Sequence, residues 1–184
     1  MKKIPSIFER DWDGDRSLVT DKPTEAHTML DGATATRKWD GTAAMVRDGR
    51  VYKRYDCKPG KTAPDGFEPA QDKDEKTGHW PGWIPVDRGK PEDKWFCDAD
   101  LPENDGTYEL CGPKIGGNPE GFDHHLFLEH GNLPLYHIPT DYDGLLDFFT
   151  QFRLEGIVWW KDGEPVGKIK RRDFGLPWPV TEEG

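Results

Sequence analysis

The sequence predicts an α/β fold of the α+β kind, built mainly from short antiparallel strands with few helices, and three features predict it. Hydrophobic residues make up 34% of the 184-residue chain and charged residues 33%, alongside 21 Gly and 16 Pro; that mixture gives many loops around a modest sheet core. Eight Trp, nine Phe and five Tyr are too many for a disordered chain, because disorder goes with too little apolar surface to offset the entropy of folding. Short apolar runs are punctuated by Asp-Gly dipeptides, and only one stretch carries a clear helical period.

The elements follow in order. The first thirty residues mix charges with isolated apolars such as Ile7, Phe8, Val19 and Leu30, and read as short edge elements. From Ala33 to Tyr55 the pattern gives a strand, a tight turn and another strand pair, with Asp40-Gly41 and Asp48-Gly49 as hairpin-type turns. Residues 56–105 are broken by prolines and carry the solvated charge run Asp72 to Lys76. They read as a long surface excursion in which Trp80, Trp83, Ile84 and Val86 form one short docked strand. Thr107 to Cys111 and Leu126 to Leu128 are strands separated by a Gly/Pro-rich segment. The spacing of Leu145, Phe148, Phe149 and Phe152 predicts a helix from Asp141 to Phe152, with Thr140 and Asp143 as a capping pair. Gly156 to Trp160 and Val166 to Lys170 are strands joined by the turn Lys161-Asp162-Gly163.

The formal net charge is −10, which excludes a strongly basic nucleic-acid binder. A local basic strip nevertheless holds Lys161, Lys168, Lys170, Arg171 and Arg172, enough for a few phosphate contacts. Cys57, Cys97 and Cys111 form no CxxC pair, which suggests reduced thiols and a cytoplasmic setting. No apolar stretch has the length of a membrane span, and the start lacks the apolar region of a signal peptide. A single domain over residues 1–184 is expected.

The residues that carry chemistry begin with Lys38-x-Asp40-Gly41. Alone, this is a lysine ahead of a turn. Tyr52-Lys53-Arg54, Tyr108-Glu109-Leu110-Cys111-Gly112, Glu155-Gly156-Ile157-Val158 and Lys168-Ile169-Lys170 follow it in order. Two lysines at i and i+2 on a strand point to one face, and their charges disfavour the protonated form of a neighbouring lysine. A carboxylate such as Glu155 at the start of an apolar strand needs a lysine or a metal ion to compensate it.

This ordered set, spanning roughly Thr34 to Trp178, resembles motifs I, Ia, III, IV and V of the covalent nucleotidyltransferases. The stretches Gly112 to Gly121 and Lys168 to Gly175 are similar to the small RNA-ligase group that includes vertebrate RNA ligase 1. The resemblance implies a nucleotidyltransferase (adenylation) domain in which two largely antiparallel sheets form an ATP cleft, without an OB-fold domain. It implies that Lys38 is the nucleophile at the α-phosphate, with Lys168 and Lys170 as phosphate contacts and Arg54, near the end of motif Ia, on the ribose or phosphate. Glu109 would bind the ribose hydroxyls, and Thr36, Arg37 and Gly41 would lie around the nucleotide. Glu155 would serve a metal, Mg²⁺ or Mn²⁺. Asp40 either holds the turn or helps orient that ion. Adenine stacking has two open registers, one using Phe127 and the other Leu126 and Leu128. Arg171 and Arg172 either position an RNA phosphate or are simply solvated.

The expected activity is ATP-dependent joining of RNA with 5′-phosphate and 3′-hydroxyl ends through a covalent lysyl-AMP. The alternatives are a DNA ligase, a GTP-using capping-type guanylyltransferase and, from another class, an inactive RNA-binding module.

Overall fold

The computed structural model describes residues 1–180. The chain runs through β1 (Phe8–Arg10), β2 (Val19–Pro23), α1 (Glu25–Thr28), β3 (Thr34–Lys38), β4 (Thr42–Arg47), β5 (Arg50–Cys57), β6 (Glu68–Pro69) and β7 (Trp80–Pro85). It continues through α2 (Lys94–Asp98), β8 (Gly106–Cys111), β9 (Leu126–Glu129), α3 (Tyr142–Gln151), β10 (Gly156–Lys161) and β11 (Glu164–Lys170). The fold is α+β, with every paired strand antiparallel. Among the described residues no helix is long and apolar enough to cross a membrane.

The chain packs as two compact units. The first takes Met1–Lys3 and Asp40–His130; the second takes Ile4–Trp39 and the chain from Gly131 onward. The first unit is a six-stranded sheet in the order β6-β7-β5-β4-β8-β9. One face carries Ala44 and Leu110, buried with Phe96, Ala99 and Ile115. Much of the segment from 56 to 105 belongs to this structure. β7 docks on β5, as its apolar residues predict, and α2 buries Phe96. The fully buried Asp93 pairs with Lys53 and accepts the Asp87 N–H at 2.8 Å. Prolines and charges hid these contacts because Asp93 and Lys53 meet only after the sheet has formed.

The second unit is built on the sheet β11-β10-β3 and the ribbon β1-β2. Ile157 and Ile169 stand opposite each other, fully buried, and pack with Ile7, Leu145 and Phe149. The isolated apolars of the first thirty residues therefore belong to a core. Burying Leu145 or Phe149 completely contributes about 1.5–3 kcal/mol each. Helix α3 keeps the predicted face, with Phe152 exposed but stacked on Phe148 at 4.7 Å between ring centroids. Its cap differs from the expected Thr140 pair, since Asp141 accepts the Gly144 N–H at 2.9 Å. Asp141 has the extended backbone of an N-cap, and its carboxylate accepts from the first turn.

Two Asp-Gly turns behave as predicted and one does not. Asp48 and Gly49, with φ of 51° and 70°, close the β4–β5 hairpin, and Asp162-Gly163 closes β10–β11 in the same way. Asp40-Gly41 adopts no such turn, because β3 and β4 belong to different sheets and the chain passes from one unit to the other there.

Arg171 closes the far end of α3. It is buried, and its guanidinium donates to the carbonyls of Phe149, Phe152 (3.2 Å) and Pro177 (2.8 Å). The bonds to Phe149 and Phe152 satisfy carbonyls that the C-terminus of α3 leaves open, so Arg171 is a structural residue and the RNA-contact reading does not hold for it. Arg172 is exposed and donates to the Trp178 carbonyl. Replacing Arg171 by Met strands buried acceptors and is expected to lower unfolding stability by about 2–4 kcal/mol. Arg172→Met is expected to cost less than about 1 kcal/mol. Urea denaturation of both variants tests the contrast, and similar small losses would remove the structural role.

Candidate active site

Strand pairing decides which side chains of the second unit share a face. Gly156 pairs with both Lys170 and Lys38, and Val158 pairs with both Lys168 and Thr36. Residues directly opposite on paired strands lie on one face, so Thr36, Lys38, Lys168 and Lys170 are presented together. Ile157, Ile169, Ala35 and Arg37 take the other face. Arg37 therefore does not join the lysines, and its guanidinium lies 4.2 Å from the centre of the Trp39 ring. Thr36 is fully buried, with its hydroxyl donating to the Val158 carbonyl at 3.1 Å.

Glu155 precedes β10 and is buried. The Lys38 ammonium donates to its Oε2, and Lys170 Nζ lies 3.2 Å from its Oε1. Lysines thus supply the compensation that the sequence requires. Gly156 makes this close approach possible, since a Cβ there would fall 2.4 Å from the Ile169 carbonyl oxygen. Lys168 carries the electrostatic strain of the cluster. Burial first, and then the ammonium groups of Lys170 and Lys38, push its pKa down to about 8. Between about 8 and the usual lysine value the unfolded chain binds the proton that folded Lys168 releases, so stability rises with pH across that window. Below it, the folded chain carries the full penalty of the buried charge.

In the first unit, Glu109 pairs with Ala43 and Leu128, while Leu110 pairs with Phe127. Arg54 pairs with Trp83 and continues the Glu109 row across the sheet. Arg54 and Glu109 therefore share a face, and Phe127 takes the opposite one, packed against the core and edge-on to Tyr108. Phe127 cannot stack on a base whose ribose lies on Glu109; the register with Leu126 and Leu128 is the one on that face. Arg54 lies over the Trp83 ring at 5.0 Å and donates to the Met1 carbonyl at 2.7 Å.

Glu109 Oε1 accepts the Gly41 N–H at 3.1 Å, and Oε2 lies 2.9 Å from His130 Nε2. His130 has no motif around it, and only strand register reveals its place. Gly41 is also required sterically, because a Cβ would lie 2.2 Å from the Leu110 carbonyl oxygen. Asp40 binds through its backbone N–H to Glu120 at 2.9 Å.

Glu155 and Asp40, the two metal candidates, belong to different units. Both oxygens of Glu155 are engaged by lysines. Among the described residues no group of three or more His, Cys, Asp or Glu side chains converges as metal ligands.

Residues 99–184 match the family described as RNA ligase 1. The chain is 25% identical to RNA ligase 1 of Mus musculus over 82% of its own length and 69% of that protein. It is 26% identical to RNA ligase 1 of Pongo abelii, over 86% and 74% of the two chains, and 29% identical to RNA ligase 1 of Danio rerio, over 57% and 43%. These similarities bear out the resemblance to the RNA ligase 1 group. Glu109, Glu155, Lys168 and Lys170 fall inside the family match, and Lys38 and Arg54 precede it.

The lysine cluster makes a signed prediction. Removing a repelling cation in Lys170→Met should raise the Lys168 pKa above about 8, and removing an attracting carboxylate in Glu155→Gln should lower it. Titration of ¹³C-labelled lysines by NMR reads both. Values that do not move in either variant would mean that the three lysines and Glu155 do not share one field.

Proposed function

We propose that this chain is an ATP-dependent polynucleotide ligase acting on RNA, with Lys38 as the residue that accepts AMP. The observation that carries the reading is the gathering of Lys38, Lys168 and Lys170 on one sheet face around the buried Glu155. The RNA part rests on the name borne by the relatives.

In this reading the Lys38 amine attacks the α-phosphorus. A nitrogen–phosphorus bond forms, the bond from the α-phosphorus to the bridging oxygen breaks, and pyrophosphate leaves. A lysine attacks only when neutral, and the Glu155 carboxylate paired with Lys38 is the adjacent proton acceptor. Lys168 and Lys170 neutralise phosphate oxygens as charge moves during transfer. The divalent ion, Mg²⁺ or Mn²⁺, enters as part of the metal–ATP substrate, since magnesium is commonly held by phosphates and water with few protein ligands. Glu109 takes the ribose hydroxyls. AMP then passes to a 5′-phosphate of RNA, and a 3′-hydroxyl attacks that end and frees AMP. The net charge of −10 suits a transient encounter with RNA more than a passive binder.

One observation favours a second assignment of the nucleophile. Lys168, with its pKa pushed down to about 8, has a larger neutral fraction near neutral pH than an ordinary lysine. Lys38 is preferred because its Asp40-Gly41 context is the one that resembles motif I.

Incubation with α-labelled ATP or GTP and Mg²⁺ or Mn²⁺ tests the function. An acid-stable protein–AMP adduct from ATP is expected, with a loss of at least about a hundredfold in Lys38→Ala. Labelling from GTP alone would point to a capping-type enzyme. No labelling from either nucleotide would leave the RNA-binding module, and sealing of DNA ends in preference to RNA would overturn the substrate class.

A further inference from the structure

His130 follows Leu126 and Leu128 in the alternation of β9 and reaches the Glu109 face. A carboxylate only accepts, so the 2.9 Å contact to Glu109 Oε2 requires His130 Nε2 to carry the proton and donate. The Gly41 N–H holds the other oxygen at 3.1 Å. Both side chains are nearly withdrawn from solvent, at 14% and 12% exposure, which makes an accidental surface contact a poor account of the pair. The carboxylate is thus fixed at both oxygens by one donor each, and each oxygen keeps a further lone pair. The other ring nitrogen, His130 Nδ1, is buried without a partner among the described residues. Buried polar atoms are nearly always paired, so this orphan marks a place that a bound ligand or water completes.

Two adjacent acceptors on a fixed carboxylate match a vicinal diol, in which two hydroxyls donate side by side. We infer that His130 is a positioning residue for Glu109, holding its carboxylate to accept both ribose hydroxyls, and that this pair makes the site select ribonucleotides over 2′-deoxyribonucleotides. The inference rests on the reading of Glu109 as the ribose contact. Gly41 anchors one oxygen through backbone that no side-chain substitution removes, which leaves His130 as the adjustable half of the clamp.

The test compares ATP with 2′-deoxy-ATP in formation of the acid-stable protein–AMP adduct. Wild type should show a KM ratio of about tenfold or more in favour of ATP, the worth of one hydrogen bond to a charged group. Glu109→Gln and His130→Leu should both bring the ratio to within about twofold. His130→Gln, whose amide can donate to Oε2, should recover most of the preference. A ratio kept in His130→Leu but lost in Glu109→Gln would overturn the role of His130. A ratio kept in Glu109→Gln would overturn the ribose assignment beneath it, while labelling of Lys38 stands apart. Ring ¹⁵N shifts of His130 in wild type give an answer independent of variant folding: a proton on Nε2 supports the clamp, and a proton on Nδ1 alone overturns it.

Discussion

The Glu155 carboxylate is buried between the ammonium groups of Lys38 and Lys170, and this charge balance constrains how the second unit can be built. An ion taken out of water is tolerated only when partners compensate it, and removing one partner from a buried pair typically costs about 3–5 kcal/mol. The three strands must therefore be registered so that both lysines reach one carboxylate. Gly156 satisfies that demand by leaving no side chain between them. Ile157 and Ile169 hold the same register from the opposite face by filling the core. The polar and apolar faces of the sheet thus fix one another, and a slip of one residue would place lysines among Leu145 and Phe149.

The same logic separates two kinds of residue in the six-stranded sheet of the first unit. The face that carries Ala44, Leu110 and Phe127 is packed under α2 and stabilises the unit. The row through Trp83, Arg54, Ala43, Glu109 and Leu128 lies on the other face and presents the candidate binding groups. Alternation along strands is what lets a marginal core and a charged site occupy the same few residues. Burial and the neighbouring ammonium groups of Lys170 and Lys38 act together on Lys168 and push its pKa down to about 8.

The sequence made some of this legible for physical reasons. Lys168 and Lys170 could be placed on one face because strand alternation is local, and α3 could be found because its apolar spacing is local. Asp48-Gly49 and Asp162-Gly163 were readable as turns, since left-handed conformations favour those residue types. What escaped was register. Phe127 lies opposite Leu110 rather than beside Glu109, and only the pairing of β8 with β9 decides that. Arg171 sits in a basic strip but turns inward to the end of α3, which composition cannot reveal. Asp40-Gly41 looked like a hairpin because a dipeptide does not state whether its flanking strands share a sheet. His130 was indistinguishable from other histidines until the strands were paired.

Lys38 is the proposed acceptor of AMP, and Lys168 is its competitor on electrostatic grounds. Mass-spectrometric peptide mapping of protein incubated with ATP and Mg²⁺ or Mn²⁺, digested under conditions that preserve the phosphoramidate, separates them directly. An AMP adduct confined to Lys38 is the predicted result. An adduct on Lys168 or Lys170 with Lys38 unmodified, or no adduct on any of the three, would contradict it.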